Sequence, residues 1–205
     1  MKNDKAINLI VTGVGGQGNV LAARLLGMVA LEEGYEATVG DVYGLTQRGG
    51  SVASHVRWTR GNTLPPLVPR ASLHVLVGFE PLEALRVLTQ FGTQDTVAIV
   101  NNTPVMPIGV QTGRFEYPPF KALEEGLRTL TRELRIVAAT SAARRVGEMQ
   151  ALNMVMMGAL AGSGFTALRT ATFEKMIPSL VPERLAGINL LAFREGMKLT
   201  CSRAS

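Results

Sequence analysis

The chain has 205 residues, 46% hydrophobic and 18% charged, which is enough apolar material for a folded core. It has no run of 18 or more apolar residues, so we expect no membrane-spanning segment, and its start does not resemble a signal peptide. The net charge of +5 is spread along the chain without a dense Lys/Arg run, so we do not expect nucleic-acid binding.

Cys201 is the only cysteine, and the chain has two histidines. One thiol excludes an intrachain disulfide, which predicts a reducing, cytoplasmic location. It also excludes an iron–sulfur cluster held by this chain, since such clusters usually need four thiolates. No zinc-ligand pattern is visible.

Apolar runs and helical spacings alternate along the chain. The pattern predicts a strand at Ile7–Thr12, a helix at Asn19–Glu33, and strands at Glu36–Asp41, Ser51–Trp58 and Leu73–Gly78. It then predicts a helix at Leu82–Phe91 with Pro81 as its first residue, a strand at Thr96–Asn101 and an irregular excursion over Asn102–Pro119. The remaining predictions are a helix at Phe120–Leu134, a strand at Arg135–Ala139, and helices at Ser141–Gly147, Gln150–Ala161, Thr172–Leu180 and Pro182–Leu199.

This alternation predicts an α/β fold: one domain, residues 1–205, with a Rossmann-like, doubly wound, mainly parallel sheet. Helices should cover both faces, and the C-terminal third should be helical.

A glycine-rich turn follows the first predicted strand and leads into the first helix. It comprises Gly13, Val14, Gly15, Gly16, Gln17 and Gly18, followed by Asn19. Glycines allow positive φ and close backbone approach, so the turn is a candidate phosphate cradle at a helix N-terminus. With Asp41 at the end of the next strand, it also fits an NAD- or FAD-binding fold. Alternatively, the glycines serve only the tight turn and helix packing.

A second unusual stretch follows the second predicted strand: Gln47, Arg48, Gly49, Gly50 and Ser51. Arg48 offers a rigid fork of donors for phosphate or carboxylate, and paired glycines permit close approach. Both loops should lie at the carboxyl edge of the sheet, where they would form an anion site. The alternative is a surface loop whose arginine pairs with a carboxylate.

Three smaller features have simpler readings. His55 is more often structural than catalytic on such a strand. Glu80 and Glu83 should cap a helix. Arg144 and its neighbour Arg145 fit a solvated helix face, or a contact to phosphate.

These motifs together resemble the gamma-type domain of 2-oxoacid:ferredoxin oxidoreductases, nearest to the small subunits of the indolepyruvate type. The likeness runs from about Ile7 to Met197. It rests on the two glycine motifs in order, on Ser54-His55-Val56-Arg57, on Gly78-Phe79-Glu80-Pro81-Leu82-Glu83-Ala84 and on Asn153-Met154-Val155-Met156-Met157-Gly158-Ala159-Leu160.

The resemblance implies a subunit, inactive alone, of an enzyme that converts an aryl-pyruvate-type 2-oxoacid and coenzyme A to an acyl-CoA and carbon dioxide, with electrons passing to ferredoxin. A branched-chain or other 2-oxoacid stays open, since Asp41 and Tyr43 stand where the family often has glutamate and histidine. Thiamine diphosphate and iron–sulfur clusters would belong to a large partner subunit. Coenzyme A is a possible ligand of this chain, at Gly13–Asn19, Gln47 and Arg48. Two alternatives remain: a free-standing NAD(P)-dependent dehydrogenase and an interaction scaffold.

Overall fold

The computed structural model describes residues 6–44, 50–106 and 116–201. Within these ranges the strands are β1 (Ile7–Val14), β2 (Glu36–Tyr43), β3 (Ser51–Thr59), β4 (Val75–Gly78), β5 (Val97–Asn101) and β6 (Glu133–Val137). The helices are α1 (Asn19–Glu32), α2 (Pro81–Phe91), α3 (Phe120–Thr129), α4 (Ala139–Val146), α5 (Leu152–Ser163), α6 (Thr170–Leu180) and α7 (Glu183–Cys201). A 3₁₀ turn at Met149–Ala151 precedes α5.

The six strands form one sheet in the order β2-β3-β1-β4-β5-β6. Strands β1, β4, β5 and β6 are parallel, whereas β3 runs antiparallel to both of its neighbours, β1 and β2. The predicted mainly parallel α/β fold is confirmed, with one antiparallel strand near an edge. The antiparallel direction of β3 follows from the short connection before it. Only residues 44–50 join β2 to β3, whereas a parallel crossover needs about a dozen residues or more.

Helices cover both faces of the sheet, as predicted. The larger core packs β1 and β3 against α1, α4, α5, α6 and α7. The smaller core, on the opposite face, packs β4 and β5 against α2 and α3. The chain leaves β1 toward the β2 edge but leaves β4 toward the β6 edge. The carboxyl ends of β1 and β4 therefore flank the point where the winding reverses, which is where open α/β sheets bind ligands.

Two glycines bring α5 and α7 into close contact. A Cβ at Gly158 would stand 1.9 Å from the carbonyl oxygen of Phe193, and one at Gly196 would stand 2.0 Å from that of Val155. No real Cβ contact is this short, so the helices cross backbone to backbone. The prediction of a buried helix here is confirmed, since residues 151–160 are all buried.

The boundary between α3 and β6 was predicted wrongly. The helix was expected to reach Leu134, but it ends at Thr129, and the following strand starts at Glu133 instead of Arg135. Leu123, Leu127, Leu130 and Leu134 continue a helical spacing across the junction, while Leu134 packs onto the smaller core from β6.

No helix in the described ranges is long and apolar enough to span a membrane.

Candidate functional site

The glycine-rich turn begins inside β1. Gly13 is still in the strand, opposite Val52 of β3, and a Cβ there would lie 2.5 Å from Gln17 Oε1 and 2.9 Å from Phe79 Cβ. Gly16 and Gly18 have φ of 98° and 85°, the left-handed region that glycine adopts without strain. Open space surrounds Gly16, so its φ, and not crowding, demands glycine.

The side chains of Gln17 and Asn19 fold back into the turn. Gln17 Oε1 accepts the amide N–H of Val14 at 2.7 Å, and Gln17 Nε2 donates to the carbonyl oxygen of Phe79 at 3.3 Å. Asn19 Nδ2 donates to Val14 O at 3.3 Å, while the buried Asn19 Oδ1 meets no partner among the described residues. These two side chains therefore hold the turn in shape.

The groups of this turn that could bind a ligand are backbone N–H donors. The N–H groups of Gly16 and Gly18 meet no backbone acceptor within the described ranges, and α1 has neither a side-chain cap nor an acidic residue in its first turn. The first amides of a helix lack intrahelical acceptors and carry the positive end of its dipole. The turn is thus an uncapped, electropositive helix start.

The second predicted loop reaches this turn. The N–H of Gly15 donates to the carbonyl oxygen of Gly50 at 2.9 Å, and Gly44 N–H donates to Ser51 O at 2.8 Å where β2 ends and β3 begins. Of the predicted contacts, Gln47, Arg48 and Gly49 lie outside the described residues. Gly50 and Ser51 lie beside the glycine turn, as expected of two loops sharing one edge.

Two clefts flank the turn, and Gly16 lines both. The hairpin-side cleft, about 320 Å³, lies between the turn and the hairpin and is lined in part by Gly15, Gly18, Val20, Tyr43 and Val52. The helix-side cleft, about 300 Å³, lies toward α4 and α5 and is lined in part by Gln17, Thr103, Thr140, Arg144 and Gln150.

Hydrogen bonds tie the strand ends beneath the clefts together. Asn101, at the end of β5, donates through Nδ2 to Phe79 O at 3.2 Å and to Thr140 Oγ1 at 2.9 Å, and its Oδ1 accepts the N–H of Thr140 at 3.2 Å. Phe79 O also accepts from Gln17. The ends of β1, β4 and β5 and the start of α4 are therefore fixed relative to one another.

Sequence reasoning left Thr103, Thr140 and Gln150 unnoticed as cleft residues. They are scattered over three segments, and no local motif marks them. Arg144 was interpreted as part of a solvated helix face, with a phosphate contact as the alternative. It is exposed on α4, and none of the ion pairs among the described residues includes it.

The topology does not favour a dinucleotide site at Asp41. Strand β3 separates β2 from β1, so Asp41 lies one strand further from the turn than a neighbouring second strand would place it. Its carboxylate accepts a hydrogen bond from Ser54 Oγ at 2.5 Å. This pairing supports the hairpin and gives Asp41 a structural role.

A buried carboxyl group follows β4. Glu80, 1% exposed, accepts the N–H of Glu83 at 2.8 Å and so caps α2, as predicted, and it is hydrogen-bonded to the Tyr117 hydroxyl. Burial raises the pKa of Glu80, and the Tyr117 and Glu83 hydrogen bonds oppose that rise. Burial and the Glu80 bond raise the pKa of Tyr117. Glu80 thereby anchors Tyr117 of the 116–119 segment onto the start of α2.

Comparison with known proteins agrees with this architecture. The family model described as "Pyruvate ferredoxin/flavodoxin oxidoreductase" matches residues 8–199. The chain belongs to this family. The indolepyruvate oxidoreductase subunit IorB of Pyrococcus horikoshii is 35% identical over 198 residues, covering 95% of this chain and 96% of the relative.

Solved structures of the family share the fold. The keto/oxoacid ferredoxin oxidoreductase gamma subunit of Geobacter sulfurreducens matches with a TM-score of 0.67 and 21% identity over 95% of this chain and 98% of its own. A 2-oxoglutarate:ferredoxin oxidoreductase from Magnetococcus marinus, solved with 2-oxoglutarate, coenzyme A and succinyl-CoA bound, matches with a TM-score of 0.72 and 15% identity over 96% of this chain. This chain spans only 31% of that longer one.

The family assignment confirms the resemblance and the prediction of an oxidoreductase subunit. It favours the subunit over a free-standing dehydrogenase. The predicted site residues and the single-domain boundary stay predictions.

Proposed function

We propose that this chain is the small subunit of a 2-oxoacid:ferredoxin oxidoreductase of the indolepyruvate type, and that its glycine turn holds phosphate groups of coenzyme A. The full-length match to an indolepyruvate oxidoreductase subunit supports the substrate class. The uncapped start of α1, with the free N–H groups of Gly16 and Gly18, is the observation that carries the phosphate proposal.

The two clefts suit the charge distribution of coenzyme A, which carries a pyrophosphate and a separate 3′-phosphate. Backbone donors at Gly16, Gly18 and Val20 would face one phosphate in the hairpin-side cleft. Arg144 and the hydroxyls of Thr103 and Thr140 would face another in the helix-side cleft. Because Gly16 lines both clefts, one ligand could cross the turn there.

Thiamine diphosphate and iron–sulfur clusters are assigned to a large partner subunit. Supporting this, Cys201 is the only cysteine, and no group of three or more His, Cys, Asp or Glu side chains within the described ranges could hold a metal ion. Thiamine diphosphate would supply the carbanion chemistry of decarboxylation. The part played by this chain is to bind the anion and to close one wall of the site. Co-purification with a large, cysteine-rich, brown partner would support the assignment, and turnover by the isolated chain would contradict it.

Val20→Asp and Val20→Asn form a matched pair for the phosphate proposal. Both place a polar side chain of the same shape in the first turn of α1, but only aspartate repels phosphate. In the assembled complex, the coenzyme A concentration for half-maximal rate should rise about tenfold or more for aspartate and little for asparagine. The aspartate variant should fold normally, because an acid at a helix start is stabilising. Equal coenzyme A dependence of the two variants would favour the interaction scaffold.

Arg144→Gln tests the helix-side cleft separately. Loss of one charge-assisted contact should raise the coenzyme A concentration for half-maximal rate by about tenfold. Arg145→Gln is the control, since Arg145 is also exposed on α4 but does not line that cleft. An equal rise of this concentration in both variants would indicate an effect of general surface charge and not a direct contact of Arg144 with the ligand.

A further inference from the structure

A third cavity, of about 330 Å³, lies on the opposite face of the hairpin from the glycine turn. We call it the α2-side cavity, and its lining includes Tyr43, Ala53, His55, Leu67, Arg86 and Phe91. It lies on the α2 face because Ala53 packs on the smaller core, whereas Val56 of the same strand packs on the larger one. Of the hairpin-side cleft residues, only Tyr43 also lines this cavity.

A buried histidine provides one defined donor. His55 is 3% exposed, and its Nδ1 accepts the N–H of Val68 at 3.1 Å. Nδ1 is therefore the unprotonated nitrogen, and Nε2 carries the ring hydrogen. The edge-to-face contact with Phe91, at 5.3 Å between ring centroids, fixes the ring plane. Because His55 lines the cavity, its Nε2–H group is the candidate polar donor at this wall.

A positioned arginine provides the charge. Arg86 Nη1 contacts Glu83 Oε1 at 2.6 Å, and the Glu83 side chain is only 4% exposed while that of Arg86 is 49% exposed. A buried carboxylate thus holds one side of the guanidinium, and the half-exposed Arg86 lines the cavity with further N–H donors to offer. Such a held arginine is a better carboxylate receptor than a freely rotating one.

The remaining walls are apolar. Val42, Tyr43 and Leu67 are 46%, 59% and 52% exposed and gather at this cavity, and Phe91 and Val87 complete it. Cavities of this size with mostly apolar walls and a few fixed polar groups are typical small-molecule sites.

We propose that the α2-side cavity binds a small carboxylic acid with an apolar or aromatic body. Its carboxylate contacts Arg86 and the Nε2–H of His55, and its body lies against Leu67 and Phe91. The site is separate from the proposed phosphate site, because it lies on the other face of the sheet, so each stands or falls by its own experiment.

Phenylacetate and 2-phenylethanol are suitable probes, since they share a ring and differ in the charged group. They are titrated into the ¹⁵N-labelled full-length chain while amide chemical shifts are followed. Phenylacetate should give saturable shifts at Ala53, His55, Val87 and Phe91 and bind at least about tenfold more tightly than the alcohol. Absence of saturable shifts there, or equal affinity for the two probes, would overturn the proposal.

Two variants test where the carboxylate and the apolar body of the ligand bind. Arg86→Gln should weaken the binding of phenylacetate by about tenfold and leave the affinity for 2-phenylethanol unchanged. Arg128→Gln is the control, since Arg128 forms a comparable helix ion pair with Glu124 but does not line the cavity. Because Arg86→Gln strips a buried glutamate of its partner, Ala53→Leu is the second variant: it fills the cavity without touching the ion pair and should abolish binding of both probes.

The assembled complex gives the last arm of the test. Retained phenylacetate binding after assembly supports a small-molecule site. Binding that the partner chain abolishes would instead assign the cavity to a protein side chain and overturn the proposal, as would unchanged affinity in both variants.

Discussion

Gly15 donates its amide N–H to the carbonyl oxygen of Gly50 over 2.9 Å, and this bond links the two stretches that the sequence marks as unusual. One loop starts α1, and the other closes the β2–β3 hairpin. Because the bond runs between backbones, no side-chain substitution removes it directly. The position of Gly50, just before β3, is therefore coupled to the start of α1, where the proposed phosphate donors lie.

The first prediction concerns Gln17, whose amide bridges Val14 N–H and Phe79 O. Gln17→Leu should lower the free energy of unfolding by about 1–3 kcal/mol, because the amide of Val14 loses its acceptor within a largely enclosed turn. Urea titration measures the change. Gln150→Leu is the control: Gln150 is exposed and lines the helix-side cleft, and its loss should change stability by no more than about 0.5 kcal/mol. Equal stability of the two variants would contradict a turn-holding role for Gln17.

The second prediction concerns the crossing of α5 and α7. Gly158→Ala should destabilise the chain by about 3 kcal/mol or more, since the added Cβ meets the backbone of Phe193 and only a shift of a whole helix relieves it. Gly187→Ala, on the partner helix α7, is the control, because its Cβ would meet nothing within 4 Å. That substitution should stabilise the helix by about 0.5–1 kcal/mol. Thermal unfolding of both variants checks the opposite signs, and destabilisation by both would count against the close crossing.

The alternation of strands and helices was predictable because each element carries its own periodicity. The antiparallel direction of β3 was also within reach, since residues 44–50 are too few for a crossover, but the glycine motif drew attention to a parallel dinucleotide fold instead. The end of α3 was not within reach: Leu130 and Leu134 satisfy helical spacing and strand burial equally well, and tertiary packing decides between them.

The site was predictable only where a motif is continuous along the chain. The turn and the hairpin end at Gly50 and Ser51 come together as expected, because both follow strands that point to one edge. Thr103, Thr140 and Gln150 reach the helix-side cleft from separate segments, so only the folded chain assembles them. The sequence likewise does not show whether the Gln17 side chain points into the turn or away from it, and only the folded structure decides this.

The third prediction follows from His55. Burial lowers its pKa below the ordinary 6.5, and the charge of Asp41 only partly opposes this. As pH falls below 6.5, the unfolded chain takes up a proton that the folded chain resists, so His55 makes the fold less stable in acid. His55→Asn keeps an acceptor for Val68 N–H and should reduce the loss of stability between pH 7.5 and pH 5.5, measured by urea unfolding. An unchanged loss in the variant would contradict the buried neutral imidazole.

The fourth prediction has the opposite sign and concerns Glu80. Because burial raises its pKa above 4.5, the folded chain keeps the proton in a pH range where the unfolded chain releases it. In that range Glu80 lowers stability as pH rises, whereas the neutral amide of Glu80→Gln does not. The stability of the glutamine variant relative to the parent should therefore increase from pH 4.5 upward.

Tyr117→Phe separates the two influences on Glu80. The Tyr117 hydroxyl favours the ionised carboxylate, so removing it should raise the pKa of Glu80 further and extend the fall in stability to higher pH. Paired urea titrations of the parent, Glu80→Gln and Tyr117→Phe across the same pH range make the comparison. Should the parent instead gain stability over the glutamine variant as pH rises, the hydrogen bonds from Tyr117 and the Glu83 amide outweigh burial, and Glu80 acts as an ionised anchor for the 116–119 segment.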